Sequence, residues 1–451
     1  FMKLIDLNPH GGIGANCTVC EVGGFRFAID SGLHPKYAGK DSIPRHAVLD
    51  RDSLDFIILT HCHLDHLGSL PLLSREHQDA PVLMSYPSSV LARRMLSNSI
   101  SVMKRQRNEL NLTELPLYGR DDLTSLYDRV KILSIKRPFR LEKDGRAIDV
   151  VLHHAGHVAG AVSVEIKTPK ERILFTGDIL FDGSRTLDGA EPLLEKVDTL
   201  VTETTRGLSV REPSRQRESE MLNLLEESSK TLSRGGSVLI PVFALGRMQE
   251  MLSVLDDAFK RNALPKVPVF CSGLGMDLVN HFHEISKNTN RVRFNRKVLR
   301  SLGARPLPRK LEPGREPPMQ GIYLVSSGML VEHTPSYVMA SSMLGDDRNS
   351  ILFVGYCDPS TPGGQLLQSE PGTPFEFNAY NHIEPIRAKI RQFDLSGHAD
   401  RDQLVAYAEK LAPKNIFLHH GDPEAREWFT NALAPIGAKI INPEPLQFYE
   451  T

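Results

Sequence analysis

The chain has 451 residues, of which 40% are hydrophobic and 24% charged, and its formal net charge is −1. This length allows two or three domains with a large core, and this composition excludes a disordered chain. The near-neutral charge also excludes binding of polyanions through overall basicity, so any such partner must be held by local patches or metals.

The sequence predicts neither a membrane span nor secretion. It contains no apolar run of about eighteen residues, and its N-terminus lacks the charged and then apolar pattern of a signal peptide. The cysteines form no regular framework: Cys17, Cys20, Cys62, Cys271 and Cys357. An odd and sparse set of this kind is typical of a reducing compartment, so we expect a cytoplasmic protein.

Short β-rich runs alternate with glycine turns at the start of the chain. Residues 13–19 and 25–30 predict paired strands joined at Gly23-Gly24. Asp30 ends the second of these strands. Its carboxylate either caps a turn or orients a metal ligand, and the sequence leaves both interpretations open.

An apolar, β-branched run at residues 54–60 predicts a buried strand. Directly after it come the potential metal ligands His61, His63, Asp65 and His66. On a loop that leaves a strand end, the first two can face one ion and the last two a neighbouring ion. Imidazoles with a carboxylate suit zinc, although other divalent metals are open. The alternative is a surface loop with chance histidines, which this clustering disfavours.

Three later strand ends also carry potential ligands. His157 lies between glycines after an apolar strand, Asp178 follows the run at residues 172–177, and Glu203 follows another such run. A single residue of this kind is usually a cap or a turn residue. Their recurrence predicts a shared rim at which the side chains converge.

From about residue 206 the pattern changes to strand–loop–helix units of α/β type. The loop before one helix contains Arg247, and the small-residue loop after a later strand contains Ser327 and Gly328. Both loops could contact phosphate, so these three residues are candidate substrate contacts; a plain connection is the alternative. The basic segment 291–315 is either a flap over a polyanion or a solvated loop.

The final section returns to histidines at loop and strand ends. His398 lies in Ser-Gly-His-Ala-Asp, and a strand from Asn415 ends in His419 and His420. In this order, the motifs HCHLDH, AGHVAGA, TGDI, ETTRG, IPVFALGRMQE, SGHAD and HHGD resemble the metallo-β-lactamase fold with a β-CASP insertion. That family includes an endonuclease of messenger-RNA 3′-end processing and compact bacterial and archaeal ribonucleases.

The resemblance covers nearly the whole chain and implies its architecture. The class is α/β, or α+β by some schemes. Residues 1–205 and 382–451 would form a four-layer αββα metallo-β-lactamase domain, and residues 206–381 would form an inserted α/β β-CASP domain.

The resemblance also implies a binuclear zinc site. Carried over position by position, two Zn²⁺ ions would be held by seven side chains: His61, His63 and His157 around one, Asp65, His66 and His420 around the other, and Asp178 bridging both. His420 is assigned rather than His419 because it directly precedes Gly421, as the family histidine does. Arg206 departs from the family pattern, in which tyrosine often follows the glutamate motif.

The function implied is hydrolysis of RNA phosphodiester bonds in RNA processing or decay. Family members that act on DNA typically carry valine at the position of His420. His398 is not needed as a ligand, so we expect it to act as a general acid oriented by Glu203. With Asp65 and Asp178 these two residues form the predicted catalytic set. We expect endonuclease action on single-stranded RNA, with 5′-exonuclease action as an additional mode, and the sequence is compatible with a homodimer.

Three alternatives follow from the same residues. The first is a DNA nuclease of the same fold. The second is a catalytically silent scaffold subunit of an RNA-processing complex, which is disfavoured because no implied ligand is missing. The third is hydrolysis of small-molecule esters, which the long insertion and the basic segment disfavour.

Overall fold

A computed structural model describes residues 2–212, 215–308, 311–317 and 319–451. These residues form two compact units. The first contains the chain up to Gly183, Asp188–Val210 and His398–Thr451, and the second contains Ser184–Leu187 and Arg211–Gly397. Of the predicted basic segment, residues 309 and 310 lie outside the described residues.

Two mixed β-sheets, each of seven strands in the described part of the chain, form the first unit. The strands of one sheet are, in spatial order, β22 (Phe448–Glu450), β1 (Lys3–Asp6), β2 (Thr18–Val22), β3 (Phe25–Ile29), β4 (Phe56–Ile58), β5 (Val82–Met84) and β6 (Val130–Ile132). Those of the other are β21 (Lys439–Ile441), β20 (Asn415–His419), β11 (Thr199–Glu203), β10 (Arg172–Phe175), β9 (Val162–Lys167), β8 (Arg146–His154) and β7 (Phe139–Lys143). Pairing is antiparallel at one side of each sheet and parallel at the other.

The core of the first unit lies between the two sheets. Phe27 and Phe56 of one sheet stack with centroids 4.7 Å apart, and Phe175 of the other meets Phe27 edge-on at 6.3 Å. All three side chains are buried, with aliphatic residues of both sheets around them. Burying each such side chain contributes about 1.5–3 kcal/mol, so this layer holds the sheets together.

Helices cover the outer faces of these sheets. They are α1 (Leu64–Leu67), α2 (Leu70–Glu76), α3 (Tyr86–Glu109), α4 (Arg120–Tyr127), α11 (Arg401–Leu411) and α12 (Pro423–Leu433). Helix α3 packs on β6, and α12 packs on β20 and β21. The predicted α/β class with a layered αββα arrangement is confirmed. None of the described helices is long and apolar enough to cross a membrane.

The second unit is built on a parallel sheet. In spatial order its described strands are β14 (Arg305–Pro306), β13 (Val269–Cys271), β15 (Ile322–Val325), β12 (Val238–Pro241), β16 (Ser350–Phe353) and β19 (Lys389–Gln392). Its described helices are α5 (Arg217–Ser233), α6 (Arg247–Lys260), α7 (Gly273–Asn288), α8 (Lys297–Leu302), α9 (Pro335–Met343) and α10 (Pro362–Gln368), and β17 (Pro374–Phe377) pairs with β18 (His382–Pro385) in a separate ribbon.

The second unit extends to Gly397, beyond the predicted end of the insertion at residue 381. The reason is strand pairing. β19 continues the parallel sheet beside β16, with Ile390 opposite Ile351. A strand's residue pattern predicts that it is a strand but does not identify the neighbour with which it pairs.

Candidate metal centre

The predicted metal-binding turn leaves the end of β4 and enters α1. Hydrogen bonds from neighbouring loops hold it: Thr60 donates its backbone N–H to Asp30 Oδ1 at 2.7 Å, and Leu33 donates to the Leu64 carbonyl at 2.7 Å. The Ser31 N–H donates to the His66 carbonyl at 2.8 Å. The turn is therefore anchored at its start and at its end, which limits the movement of the side chains between.

Three histidines point ring nitrogens at one another. His61 Nε2 lies 3.2 Å from His63 Nδ1, which lies 3.0 Å from His157 Nε2. Two ligands at zinc's bond length of about 2.0–2.1 Å and a tetrahedral angle would be about 3.3 Å apart. The spacing of these nitrogens fits a shared cation. Gly156, at φ +76°, lets the loop that carries His157 lie close to the backbone of Leu180, since a Cβ there would be 2.4 Å from the Leu180 carbonyl oxygen.

A second group lies beside the first. His66 Nε2 is 3.3 Å from His420 Nε2, and His420 Nε2 is 3.3 Å from Asp65 Oδ2. His66 and His420 are buried, and each offers one nitrogen to the group. His420 follows β20, whereas the other two residues lie in α1. Segments that precede and follow the second unit in the sequence therefore complete this group together.

Asp178 lies where the two groups meet. Its Oδ2 is 3.3 Å from His66 Nε2, 3.6 Å from His61 Nε2 and 3.7 Å from His157 Nε2. Its Oδ1 is buried without a hydrogen-bond partner among the described residues. A buried carboxylate oxygen without a hydrogen bond is costly unless a cation satisfies it. This donor set of imidazoles and carboxylates fits a divalent metal, and zinc in particular.

Neighbouring side chains fix the outer nitrogens of the rings. Asp30 Oδ2 lies 2.6 Å from His66 Nδ1, and Thr205 Oγ1 lies 2.8 Å from His420 Nδ1. Partners of this kind hold a ligand's tautomer and orientation. Both interpretations of Asp30 hold, because it also accepts the Thr60 N–H. Thr205 was missed, although its place two residues after Glu203 could have pointed to it.

Asn16 was also missed, and no motif marks it. Its Nδ2 donates to the backbone carbonyl of Asp65 at 2.9 Å and lies 3.2 Å from His66 Nε2. The two segments are 49 residues apart in sequence, and only the fold brings them together.

His398 and Glu203 form a pair beside these two groups, and with Asp178 and His420 they make up a further potential metal group. His398 Nδ1 is 2.9 Å from Glu203 Oε2, and Glu203 Oε1 accepts the Ile179 N–H at 2.7 Å. The His398 side chain is 14% exposed, and its ring lies 4.5 Å from that of His157, centroid to centroid. Glu203 thus holds Nδ1 of His398 and fixes the orientation of its ring.

Burial and neighbouring charges together shift the pKa values of the side chains in these groups. Burial opposes ionisation of Asp178, but the imidazoles of His420 and His66 outweigh it and hold the Asp178 pKa well below its usual value. Burial lowers the pKa of His61 far enough to keep this ring neutral, as a ligand must be. For His398, burial lowers the pKa, but the Glu203 carboxylate outweighs it and the net pKa is raised. The Asp178 carboxylate is therefore ionised, and Glu203 makes His398 hold its proton more tightly than a free imidazole would.

Two neighbours of the ligands lie outside these groups. Cys62 is buried and donates its thiol to the Ser88 carbonyl at 3.3 Å, and burial raises its pKa to about 12. His419 Nδ1 lies 3.8 Å from Asp6 Oδ2, with Nε2 near Thr18. Of the adjacent histidines 419 and 420, only the latter is in a potential metal group of the described residues.

The three candidate substrate contacts lie in the second unit and have partners within it. The Ser327 hydroxyl accepts the Val331 N–H at 2.9 Å, and Gly328 is buried against Phe243. Arg247 forms an ion pair with Glu250, which Arg217 also contacts at 2.8 Å. Their role in binding a substrate stays a prediction.

Comparisons with known proteins agree with this geometry. The metallo-beta-lactamase superfamily matches residues 10–227, the Beta-Casp domain matches residues 248–366, and the Zn-dependent metallo-hydrolase RNA specificity domain matches residues 383–443. The chain therefore belongs to the metallo-beta-lactamase superfamily and carries the Beta-Casp and RNA specificity domains.

Its curated relatives are distant and longer. The chain is 28% identical to "Endoribonuclease YSH1" of Saccharomyces cerevisiae, over 93% of this chain and 54% of that protein. It is 28% identical to "Cleavage and polyadenylation specificity factor 73" of Drosophila melanogaster (93% and 60%) and 25% identical to "Integrator complex subunit 11" of Danio rerio (96% and 71%). The chain thus spans about half the length of the relatives named as endoribonucleases.

A solved structure supports the fold alone. A protein of unknown function from Enterococcus faecalis V583 aligns with a TM-score of 0.51 at 13% identity, covering 99% of each chain.

Proposed function

We propose that this protein is a zinc-dependent ribonuclease that hydrolyses RNA phosphodiester bonds in RNA processing or decay. The proposal rests on one observation: the potential metal ligands converge at Asp178, and the His398–Glu203 pair lies directly beside them. Endonuclease action is the primary mode, with 5′-exonuclease action as an additional one.

The chain offers ligands for two zinc ions. His61, His63 and His157 would hold one, and Asp65, His66 and His420 the other, with Asp178 shared. When bound, such ions neutralise charge on the phosphate and lower the pKa of water. The catalytic contribution of Asp65 and Asp178 is to hold these ions in place.

The proton for the leaving group comes from His398. As a water oxygen bonds to phosphorus and its proton is released to solvent, the bond from phosphorus to O3′ breaks and His398 donates its Nε2 proton to O3′. His398 then regains a proton from solvent. The products are a 5′-phosphate and a 3′-hydroxyl. Glu203 orients the imidazole and stabilises its protonated form, because its Oε2 lies 2.9 Å from His398 Nδ1. A positioned acid of this kind contributes about 10²–10⁴-fold to the rate.

RNA is favoured over DNA as the substrate by two observations. The chain matches an RNA specificity domain at residues 383–443. His420 occupies the position at which family members acting on DNA typically carry valine. Both observations concern residues near the end of the chain, where the second metal group is completed.

Attraction for the RNA backbone comes in part from the basic surface around α8. Arg296, Lys297, Arg300 and Arg305 are exposed, and their side chains have no ion pair with a described residue. Lys297 and Arg300 lie one turn apart on one face, where like charges repel. Cations at the start of a helix are also disfavoured by its dipole. These like charges therefore lower the stability of the folded protein, and the surface that they form is suited to binding phosphates.

The test is digestion of matched, end-labelled single-stranded RNA and DNA by the purified protein, with metal content measured by mass spectrometry. We expect RNA cleavage that leaves 5′-phosphates, about two zinc ions per chain, and a large loss of rate in His398→Ala with zinc retained. Preferential cleavage of DNA would support the DNA nuclease instead. No cleavage together with less than about one zinc per chain would support the silent scaffold.

A further inference from the structure

Three aromatic rings cluster at the surface of the first unit. The rings of His10 and Tyr37 stack with centroids 4.1 Å apart and an interplanar angle of 19°. His34 contacts both, at 5.1 Å from His10 and 4.6 Å from Tyr37. Tyr37 is 46% exposed and His34 is buried. The Tyr37 ring is thus held by two other rings although nearly half of its side chain is exposed and it belongs to no buried core.

The distances leave one face of Tyr37 uncovered by the other rings. If His34 lay on the face opposite His10, the two histidine rings would be about 8–9 Å apart, as in a three-layer stack. They are 5.1 Å apart, so His34 lies beside the stack. The outer face of Tyr37 is therefore directed away from its aromatic partners, and nearly half of the side chain is in contact with solvent.

Backbone contacts hold the two histidine rings in place. His10 Nε2 donates to the Asp41 carbonyl at 2.8 Å, and His34 Nδ1 accepts the Lys36 N–H at 3.2 Å. Gly14, at φ +113°, lets the first loop lie against the second, because a Cβ there would be 3.0 Å from the His34 ring. The stack is thus pre-organised and would lose little entropy on binding a flat partner.

Both loops border the metal centre. Asn16, in the loop that begins at His10, donates to Asp65, and Leu33, next to His34, donates to Leu64 in the metal-binding turn. Gly12 lies so close to Asp422 that a Cβ would be 3.1 Å from its carboxylate, two residues beyond His420. A polymer held at the metal centre would pass near these loops.

We propose that the outer face of Tyr37, backed by His10 and His34, is a stacking site for one base of the single-stranded RNA whose phosphate is held at the metal centre. Lys36 and Lys40, both exposed, lie on either side of Tyr37 in the sequence and would contact the backbone. Bases stack on aromatic side chains without sequence preference. The proposal rests on the proposed ribonuclease function for the identity of the nucleic acid.

The experiment measures binding apart from cleavage. In a His398→Ala background, the dissociation constant of a labelled single-stranded RNA is measured for Tyr37, Tyr37→Phe and Tyr37→Ala. Loss of one stacked base, worth about 1–3 kcal/mol, predicts an increase of about 5- to 150-fold in the dissociation constant for alanine, and phenylalanine should restore binding. Phe448→Ala removes another exposed ring of the same unit, 50% exposed, and should leave binding unchanged.

A series of RNAs with a single abasic position separates stacking from a structural role. At one position the abasic substitution should weaken binding to the unaltered chain and have no further effect in Tyr37→Ala. Equal losses in both proteins at every position would overturn the proposal, as would unaltered affinity in Tyr37→Ala. If the protein cleaves no RNA but the abasic effect is found, the ribonuclease proposal fails and the stacking site stands. If it cleaves RNA and no position shows the effect, the stacking site fails and the ribonuclease proposal stands.

Discussion

The Nδ1 atom of His398 lies 2.9 Å from Oε2 of Glu203, whose other oxygen accepts a backbone N–H. One oxygen of Glu203 is thus fixed by the Ile179 backbone in the loop after β10, and the other contacts the histidine. Replacing Glu203 with glutamine keeps the shape and removes the charge. We expect kcat for RNA to fall about 10²-fold while zinc content is unchanged.

A matched control exists in the same unit. His153 Nε2 and Glu165 Oε2 form another buried pair at 2.9 Å, and neither belongs to a potential metal group of the described residues. Glu165→Gln should leave kcat close to that of the unaltered protein at temperatures where both are folded. Equal losses in the two variants would refute a specific role for Glu203.

Asp30→Asn should weaken metal binding without removing a ligand. The carboxylate fixes His66 Nδ1 at 2.6 Å, and partners of this kind typically account for 10–100-fold in metal affinity or activity, so a loss of about that size is expected. Zinc affinity measured by competition with a chelator checks this. Asp55→Asn is the control, because Asp55 accepts from the Arg26 N–H and contacts Lys143 instead. A metal affinity unchanged in Asp30→Asn would contradict the assignment.

The basic surface around α8 should set part of the salt dependence of RNA binding. Each phosphate contact on a single strand contributes about 0.7 to the slope of log K against log salt concentration. Changing Arg296, Lys297 and Arg300 to glutamine should therefore lower the slope by about 2. The control removes three charges already in ion pairs, namely those of Lys3, Arg140 and Lys230. A slope lowered equally by both triple variants would indicate an effect of net charge alone.

Acid should weaken the second unit through Glu250. Burial opposes its ionisation, but Arg217 and Arg247 outweigh it and lower the Glu250 pKa to about 2 from 4.5. A depressed folded-state pKa stabilises the fold above the unfolded value, and this stability is lost as the pH falls from 4.5 to about 2. Glu250→Gln should cost about 3–5 kcal/mol at neutral pH, because it leaves two largely but not fully buried guanidinium groups without this counter-ion.

Urea unfolding between pH 2 and pH 7 measures this effect. The difference in unfolding free energy between the unaltered protein and Glu250→Gln should shrink as the pH falls below 4.5. Glu226→Gln is the control, since among the described residues Glu226 forms its ion pair with Lys230 at the surface, and the two side chains are about 60% exposed. A difference that stays constant with pH would show that the ion pairs of Glu250 do not carry the stabilisation.

The residues that converge at the candidate metal centre could be singled out from the sequence because each follows a strand or lies in a compact motif. His61 follows β4 of one sheet, whereas His157 and Asp178 follow β8 and β10 of the other, and each is marked by a local pattern. The partners could not be predicted in the same way. Asn16 meets Asp65, and His10 meets Tyr37, through loops whose approach depends on the whole fold. The end of the second unit also depends on which strand β19 joins.

The neighbouring strands β11 and β20 place residues from before and after the second unit side by side, with Thr204 bonded to His419 across 215 positions of sequence. A nascent chain that has emerged from the ribosome only as far as residue 395 has Glu203 but neither His398 nor His420. It can assemble neither the proposed proton donor nor the second candidate metal group. If the proposed function is correct, each copy of the chain would become active only after its last residues have joined the first unit.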